Sequence, residues 1–318
     1  MKSILPYVAK RLLYFVPTLL ALTLMIHLVL HYSGADPVRI MLGDAATPDT
    51  VAVWTHRLGM DEPVYVQYWN WLVRLLHGDM GVSLILAQGF SASDLIRQRL
   101  PVTGFIALLS MILACVIGIG AGSISALRRW HLEDYAVTSF AVAGISLPDF
   151  WLGFMLVICF SLRLHLFPTM GYVRFFGDPW ASLHHVVLPC LAIAAPLAAV
   201  ITRMVRTSLL ETVSKDFVTV AKAYGLPPRV IVVSYIWRNS LIPIITIIGL
   251  HVRYLLGGVV VIEKVFSLPG LGSLLADAAF SRDIFLVQDI VVVFLLIILI
   301  GNLVVDVSYT LIDPRVTF

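Results

Sequence analysis

Two charged residues stand where a hydrophobic chain has least use for them. Asp149 and Arg253 fall within long apolar runs, and at about 1.5 Å of helix rise per residue each lies roughly 20 Å from the basic end of its run. A lone charge at that depth is costly unless it faces water or a partner, so such positions read as functional. We expect both to line a polar pathway; the alternative is a buried structural ion pair. Pro148 interrupts the same run as Asp149, close to Gly144, which suits a helix break facing a cavity. His251, two residues from Arg253, points to another face.

Other candidate chemistry is thinner. His27 and His31 are four residues apart, a spacing that can chelate a metal, and His184–His185 form a tandem pair. Both also fit interfacial histidines, and no metal site is assigned. Cys115, Cys159 and Cys190 sit in apolar runs without ligand spacing and read as buried thiols. GIGAG at 118–122 lies mid-run with no preceding strand, so Gly118 and Gly122 read as a helix-packing face rather than a phosphate cradle. The chain contains no GxxxxGK[ST], GxSxG or HExxH motif, so it is not expected to be an enzyme or to hold a nucleotide or other cofactor itself.

The elements that would position these residues follow from composition. The 318-residue chain has 13% charged residues and a mean hydropathy of +0.94, too few charges to cover a soluble surface. Continuous apolar runs near the length needed to cross a bilayer give an all-α polytopic membrane protein, with spans expected near 8–30, 102–127, 135–166, 186–207, 241–262 and 286–309. The 1–30 segment is read as an uncleaved first span, 31–101 as an extracytoplasmic loop and 102–318 as the core domain. Basic residues cluster before span one, after span two (Arg128, Arg129) and between spans four and five, which puts both termini in the cytoplasm. They are spread by topology, with no patch for nucleic acid.

Within the outer loop, Pro48 starts a short helix that Gly59 ends, and 62–78 reads as an amphipathic helix ended by Gly78. Its Tyr65, Tyr68, Trp69, Leu72 and Leu76 suit either a lip around an outward mouth or a helix in the headgroup layer. Residues 91–101 read as a helix capped by Ser91 that enters span two at Pro101. Between spans four and five, 208–224 is helical in pattern and polar enough to leave the lipid. Gly225 stops it, Pro227–Pro228 redirect the chain, and 229–241 starts a second helix. Such a knob suits docking to a soluble partner, or a loop lying on anionic lipid.

The segment DFVTVAKAYGL with RNSLIP resembles the coupling loop, here 208–240, of membrane subunits of ATP-binding-cassette (ABC) importers. Their broad pattern is EAA, three residues, then Gly. This chain has Thr219, Val220, Ala221 and then Gly225, and is more similar to the variant in the dipeptide/oligopeptide/nickel permease family. HGDMGVSL (77–84), SLPDFWLG (146–153), EKVFSLPGLGSLL (263–275), RDIFLVQ (282–288) and NLVVDVSYTLIDPRV (302–316) resemble further hallmarks in order. Tyr235 and Arg253 are departures from the family pattern.

The resemblance implies a type I ABC importer permease in a bacterial inner membrane. Its partners would be a second homologous permease, two cytoplasmic ATPase subunits that bind ATP and Mg, and an extracytoplasmic solute-binding protein. It implies ATPase coupling through Asp216, Thr219, Ala221, Lys222, Gly225, Leu226 and Arg229. Peptides are the family's commonest cargo; GLH at 249–251 and the short 168–185 loop lean toward its nickel branch. An ATP-independent secondary transporter or channel is the rival reading, and would show inverted repeats and its own ion-coupling site.

Overall fold

The structure is a computed structural model that describes residues 4–32, 34 and 36–312, with the side chains of 4–10, 12, 253, 256 and 306–312 excepted. Five helices are long and apolar enough to cross a membrane, and a bent pair counted as one span makes six. The chain forms two compact units. Unit 1 comprises Met1–Ile4, Gly104–Leu268 and Ile300–Phe318; unit 2 comprises Leu5–Thr103 and Pro269–Leu299.

Unit 2 is built from α1 (Ile4–His31), α2 (Pro37–Leu42), α3 (Pro48–Arg57), α4 (Val64–Leu76) and the start of α5 (Ala92–Leu127). Thr47 caps α3 through a reciprocal pair of bonds with Thr50, and Pro48 occupies the first turn, as the sequence predicts. The Ser91 hydroxyl accepts from the Asp94 N–H at 3.4 Å. The helix that follows does not stop at Pro101 but runs unbroken to Leu127. On α4, Tyr68 donates to the Leu20 carbonyl at 3.1 Å and Trp71 Nε1 donates to Asp289 at 2.9 Å. Those bonds hold one face of α4 inward, while Tyr65 and Trp69 stay exposed.

Later in the chain come α6 (Leu132–Ser146), α7 (Asp149–Leu156, continued by a π-helical turn Val157–Arg163) and α8 (Pro179–Val213). The break expected near Pro148 is a 108° bend between 132–146 and 149–163. Pro148 takes an extended conformation there and starts α7. The centre of unit 1 is α8, whose Ile193, Leu197 and Ile201 are almost fully buried. Its run LAIAAPLAAV presents mostly small side chains. Neighbouring helices meet it through glycine: a Cβ at Gly118 would stand 2.7 Å from Ile201, one at Gly122 2.6 Å from the Thr202 carbonyl oxygen, and one at Gly144 3.1 Å from Ala199. GIGAG is thus a packing face, because only residues without a Cβ let the backbones approach this closely.

Beyond α8 lie α9 (Asp216–Ala223), α10 (Pro228–Val230) with a π-helical turn Ile231–Trp237, α11 (Arg238–Val265), α12 (Leu271–Phe280) and α13 (Ile284–Ile312). In unit 2 the start of α13 is pinned by Asp283, which is fully buried. Its Oδ2 accepts from Ser83 Oγ at 2.6 Å, from the Ile85 N–H at 3.0 Å and from the Leu86 N–H at 3.2 Å. Removing that acceptor strands the buried Ser83 hydroxyl, at about 1–3 kcal/mol for an unpaired buried donor, and frees two part-buried backbone N–H groups. Asp283→Ala is expected to lower the thermal unfolding temperature of the detergent-solubilised chain sharply, and Asp283→Asn, which keeps an acceptor oxygen, to lower it less. Equal melting of Asp283→Ala and wild type would contradict this account.

Candidate functional site

The polar interruption between α8 and α11 forms a helical knob. The sequence predicts one helix over 208–224, but α8 ends at Val213 and α9 starts at Asp216. The break is local: the Ser214 hydroxyl bonds back to the Leu210 carbonyl at 3.1 Å, competing with the backbone ladder. Lys215 is extended, which redirects the chain. Asp216 then opens α9, where a carboxylate favours the N-terminal end of the helix dipole.

The other end of α9 closes on Gly225. The Leu226 N–H bonds to the Ala221 carbonyl at 3.3 Å and the Gly225 N–H to the Lys222 carbonyl at 3.0 Å, the paired bonds of a Schellman stop. This requires the left-handed backbone that Gly225 adopts, with φ +70°. A Cβ there would meet nothing within 4 Å, so the glycine is demanded by conformation and not by crowding. Pro227 and Pro228 then start the one-turn α10.

Two buried hydroxyls clasp the stems of the knob. Thr212 Oγ1 and Ser240 Oγ lie 2.8 Å apart, and Ser240 Oγ also reaches the Ser208 carbonyl at 3.1 Å and the Ile236 carbonyl at 2.9 Å. Nearby, Asn239 Nδ2 donates to the Tyr235 carbonyl at 2.6 Å. Side chains therefore reach carbonyls at the end of the π-helical turn, where the regular ladder is disturbed.

Higher in unit 1, Arg206 forks onto Asp134 through Nε at 2.8 Å and a terminal nitrogen at 2.9 Å. Ser125 Oγ and the Trp130 N–H also donate to that carboxylate. The arrangement ties α5, α6 and α8 together with every acceptor in use. In the sequence Arg206 stands out only as one more basic residue near the end of an apolar run. The signal it lacked was a partner, since Asp134 is distant in sequence.

Of the residues expected to couple to an ATPase, Asp216, Thr219, Lys222, Gly225 and Arg229 are exposed and Leu226 is half-buried, whereas Ala221 is buried. Ala221 and Val218 form the inner face of α9, toward the π-helical turn. The outer face carries Phe217, Val220 and Tyr224, which are 40%, 51% and 82% exposed. That apolar stripe was not singled out from the sequence, although its spacing of three and four residues is the helical one.

The expected pathway residues are gathered only in part. Asp149 starts α7 and one of its oxygens would lie 2.9 Å from a Cβ at Gly258; any larger residue at 258 displaces the carboxylate. His251 Nδ1 lies 2.8 Å from the Ile247 carbonyl and so is engaged with its own helix. Pro148 is exposed at the bend. The Arg253 side chain lies outside the described residues, and the pairing with Asp149 is not tested by the geometry.

The Schellman stop generates a direct expectation. Gly225→Ala places a Cβ on left-handed backbone at a cost of about 1–2 kcal/mol, and should raise amide exchange across 222–226. Gly225→Asn, which tolerates that backbone, should restore most of the protection. Equal exchange in all three proteins would remove the conformational role.

Residues 118–318 match the family described as binding-protein-dependent transport system inner membrane component. Residues 4–105 match its N-terminal companion. The glutathione transport system permease protein GsiC of Escherichia coli K12 is 36% identical over 99% of both chains. The oligopeptide transport system permease protein AppB of Bacillus subtilis is 33% identical over 98% of this chain and 99% of its own. In structure, the chain is similar to the MetNI methionine ABC transporter in an inward-facing conformation, with TM-score 0.54 and 16% identity over 69% of this chain and 96% of that one. An amino acid ABC transporter gives TM-score 0.52 and 12% identity over 70% and 95% of the two chains. These likenesses support the type I importer permease fold. Spans, polar knob and full-length identity agree: the chain belongs to the binding-protein-dependent transport system inner membrane component family and is a multi-pass permease subunit of an ABC importer.

Proposed function

We propose that this permease forms half of the translocation pathway of an importer for short peptides, glutathione-like tripeptides included. The cargo assignment rests on the names of the relatives, a glutathione and an oligopeptide permease. They favour the peptide reading over the nickel one. A second homologous permease would complete the pathway, two cytoplasmic ATPase subunits would bind and hydrolyse ATP with Mg, and an extracytoplasmic solute-binding protein would deliver the cargo. Both termini would be cytoplasmic in a bacterial inner membrane.

The observation that carries the coupling role is the face of α9. Phe217, Val220 and Tyr224 leave apolar surface exposed on a helix outside the spans, bordered by Lys222 and Arg229. An apolar centre with a charged rim is the anatomy of a protein-docking patch. In this reading Phe217, Val220 and Tyr224 enter a groove on the ATPase, and Asp216, Thr219, Lys222 and Arg229 make polar contacts around it. Ala221 acts from within, letting α9 lie close on the π-helical turn, and Gly225 with Leu226 fixes where the helix stops. The clasp of Thr212 with Ser240 then passes displacement of α9 to α8 and α11.

Alternating access needs ATP to bind one state better than the other, since equal affinity shifts no population. Asp149 at the bend, with Pro148, and Arg253 and His251 on α11 are the residues we assign to the polar lining of the pathway. Double substitution Val220→Asp with Tyr224→Asp, in the complete importer reconstituted in liposomes, is expected to cut ATP-dependent uptake of a labelled short peptide at least about tenfold, the equivalent of about 1.4 kcal/mol. The chain itself should still insert and fold, because both side chains face solvent. Wild-type uptake by this variant would defeat the assignment.

A further inference from the structure

Unit 2 contains an open-sided cavity of about 50 Å³ between α1, the turn before α4, α4 and α13. Two of its side chains have unmet hydrogen-bonding capacity. His27 Nε2 and Gln288 Nε2 are buried and have no partner among the described residues, and the two residues are only 8% and 4% exposed. His27 Nδ1 lies 3.2 Å from Gln288 Oε1. With the Gln288 amide oxygen as acceptor, Nδ1 donates, which leaves the buried Nε2 as an unmet acceptor in the wall of the cavity. The Val64 backbone approaches the ring without reaching hydrogen-bond geometry at Nε2. The same contact leaves the Gln288 amide nitrogen as a free donor.

Two charged side chains, Glu62 and Arg74, complete the lining. Glu62 is held in place: Asn70 Nδ2 donates to its Oε2 at 3.1 Å and Gln67 Nε2 donates to its carbonyl at 2.7 Å. The Arg74 guanidinium interacts electrostatically with Asp289 but is not within hydrogen-bond or ion-pair distance of a described residue. The wall thus offers acceptors from His27 and Glu62, donors from Gln288 and Arg74, and one formal charge of each sign. Buried polar atoms left unpaired are costly, and native proteins fill such places with water or ligand. Water would satisfy the two orphan atoms but makes no use of the opposed charges.

We propose that this cavity binds a small zwitterion, with its ammonium on Glu62 and His27 Nε2 and its oxyanion on Arg74 and the Gln288 amide. The volume suits a charged end group and not a whole cargo molecule. His27 and Gln288 each stand four residues inside a helix end, about 6 Å along the axis, a depth that both solutes and lipid headgroups reach. The same chemistry is carried by the end of a short peptide and by an ethanolamine phospholipid headgroup. The site does not depend on the coupling role of α9.

The purified full chain in phosphatidylcholine nanodiscs, whose quaternary nitrogen has no N–H to donate, provides the test. Calorimetric titration compares glycylglycine with N-acetylglycine, which lacks the ammonium, and glycinamide, which lacks the carboxylate. In parallel, native mass spectrometry counts phosphatidylethanolamine against phosphatidylglycerol retained from mixed nanodiscs. At least one zwitterion should bind about tenfold or more tighter than its single-charge controls, as expected for two charge-assisted contacts. Arg74→Gln and Glu62→Gln should each abolish that margin. Selective retention of phosphatidylethanolamine assigns the site to lipid, and selective binding of glycylglycine assigns it to solute. If neither zwitterion outcompetes its controls in the wild type, or if binding survives both substitutions, the cavity holds only water and the proposal fails.

Discussion

A Cβ at Gly122 would stand 2.6 Å from the Thr202 carbonyl oxygen, and that single clearance governs how unit 1 can be built. Hydrophobic burial gives little drive for helices to associate in lipid, so association relies on dispersion contacts that need close backbones. The small residues of α8 and the glycines of α5 and α6 provide that closeness from both sides. Once the backbones are in contact, α8 is the most buried of the spanning helices, and the bend at Pro148 and the polar knob have a fixed reference. Bulk at 118, 122 or 144 would act on all of them at once.

Several stretches that look separate in the sequence are halves of one contact. HGDMGVSL and RDIFLVQ meet where Ser83 donates to Asp283. SLPDFWLG meets α11 where the Asp149 carboxylate lies over Gly258, and RNSLIP meets the end of α8 where Ser240 reaches Thr212. Each pairing sets a short polar side chain against a glycine, a hydroxyl or a free backbone N–H. In an apolar chain such groups have few other partners, so the pairing is specific as well as stabilising.

This explains what could be read from sequence and what could not. Spans, the helix start at Pro48, stops at Gly78 and Gly225, and the packing role of GIGAG are local or periodic signals, and the structure carries them. The break at Ser214–Lys215 was missed because a serine that bonds back to the Leu210 carbonyl looks, in sequence, like any helical serine. The burial of Ala221 and the exposure of Val220 were missed because a motif aligned with a family gives positions but not faces. The forked Arg206–Asp134 pair was missed because its partners are 72 residues apart, beyond any periodicity.

The buried polar groups fall into two kinds, and the difference separates scaffold from site. Asp283 and Asp134 are nearly inaccessible and surrounded by donors. A carboxylate so fully engaged gains nothing from a ligand, and losing one partner strands the rest. His27 and Gln288 are as deeply placed, yet each keeps an unpaired atom in the wall of a cavity. A fold able to satisfy the first pair so completely has no general difficulty in satisfying polar groups, so the unpaired atoms of the second are a local property of the cavity. The same reasoning applies to the surface of α9. A helix that buries Val218 and Ala221 but leaves Phe217, Val220 and Tyr224 outside has filled its own core contact, and the proposed docking role falls to the apolar surface that remains.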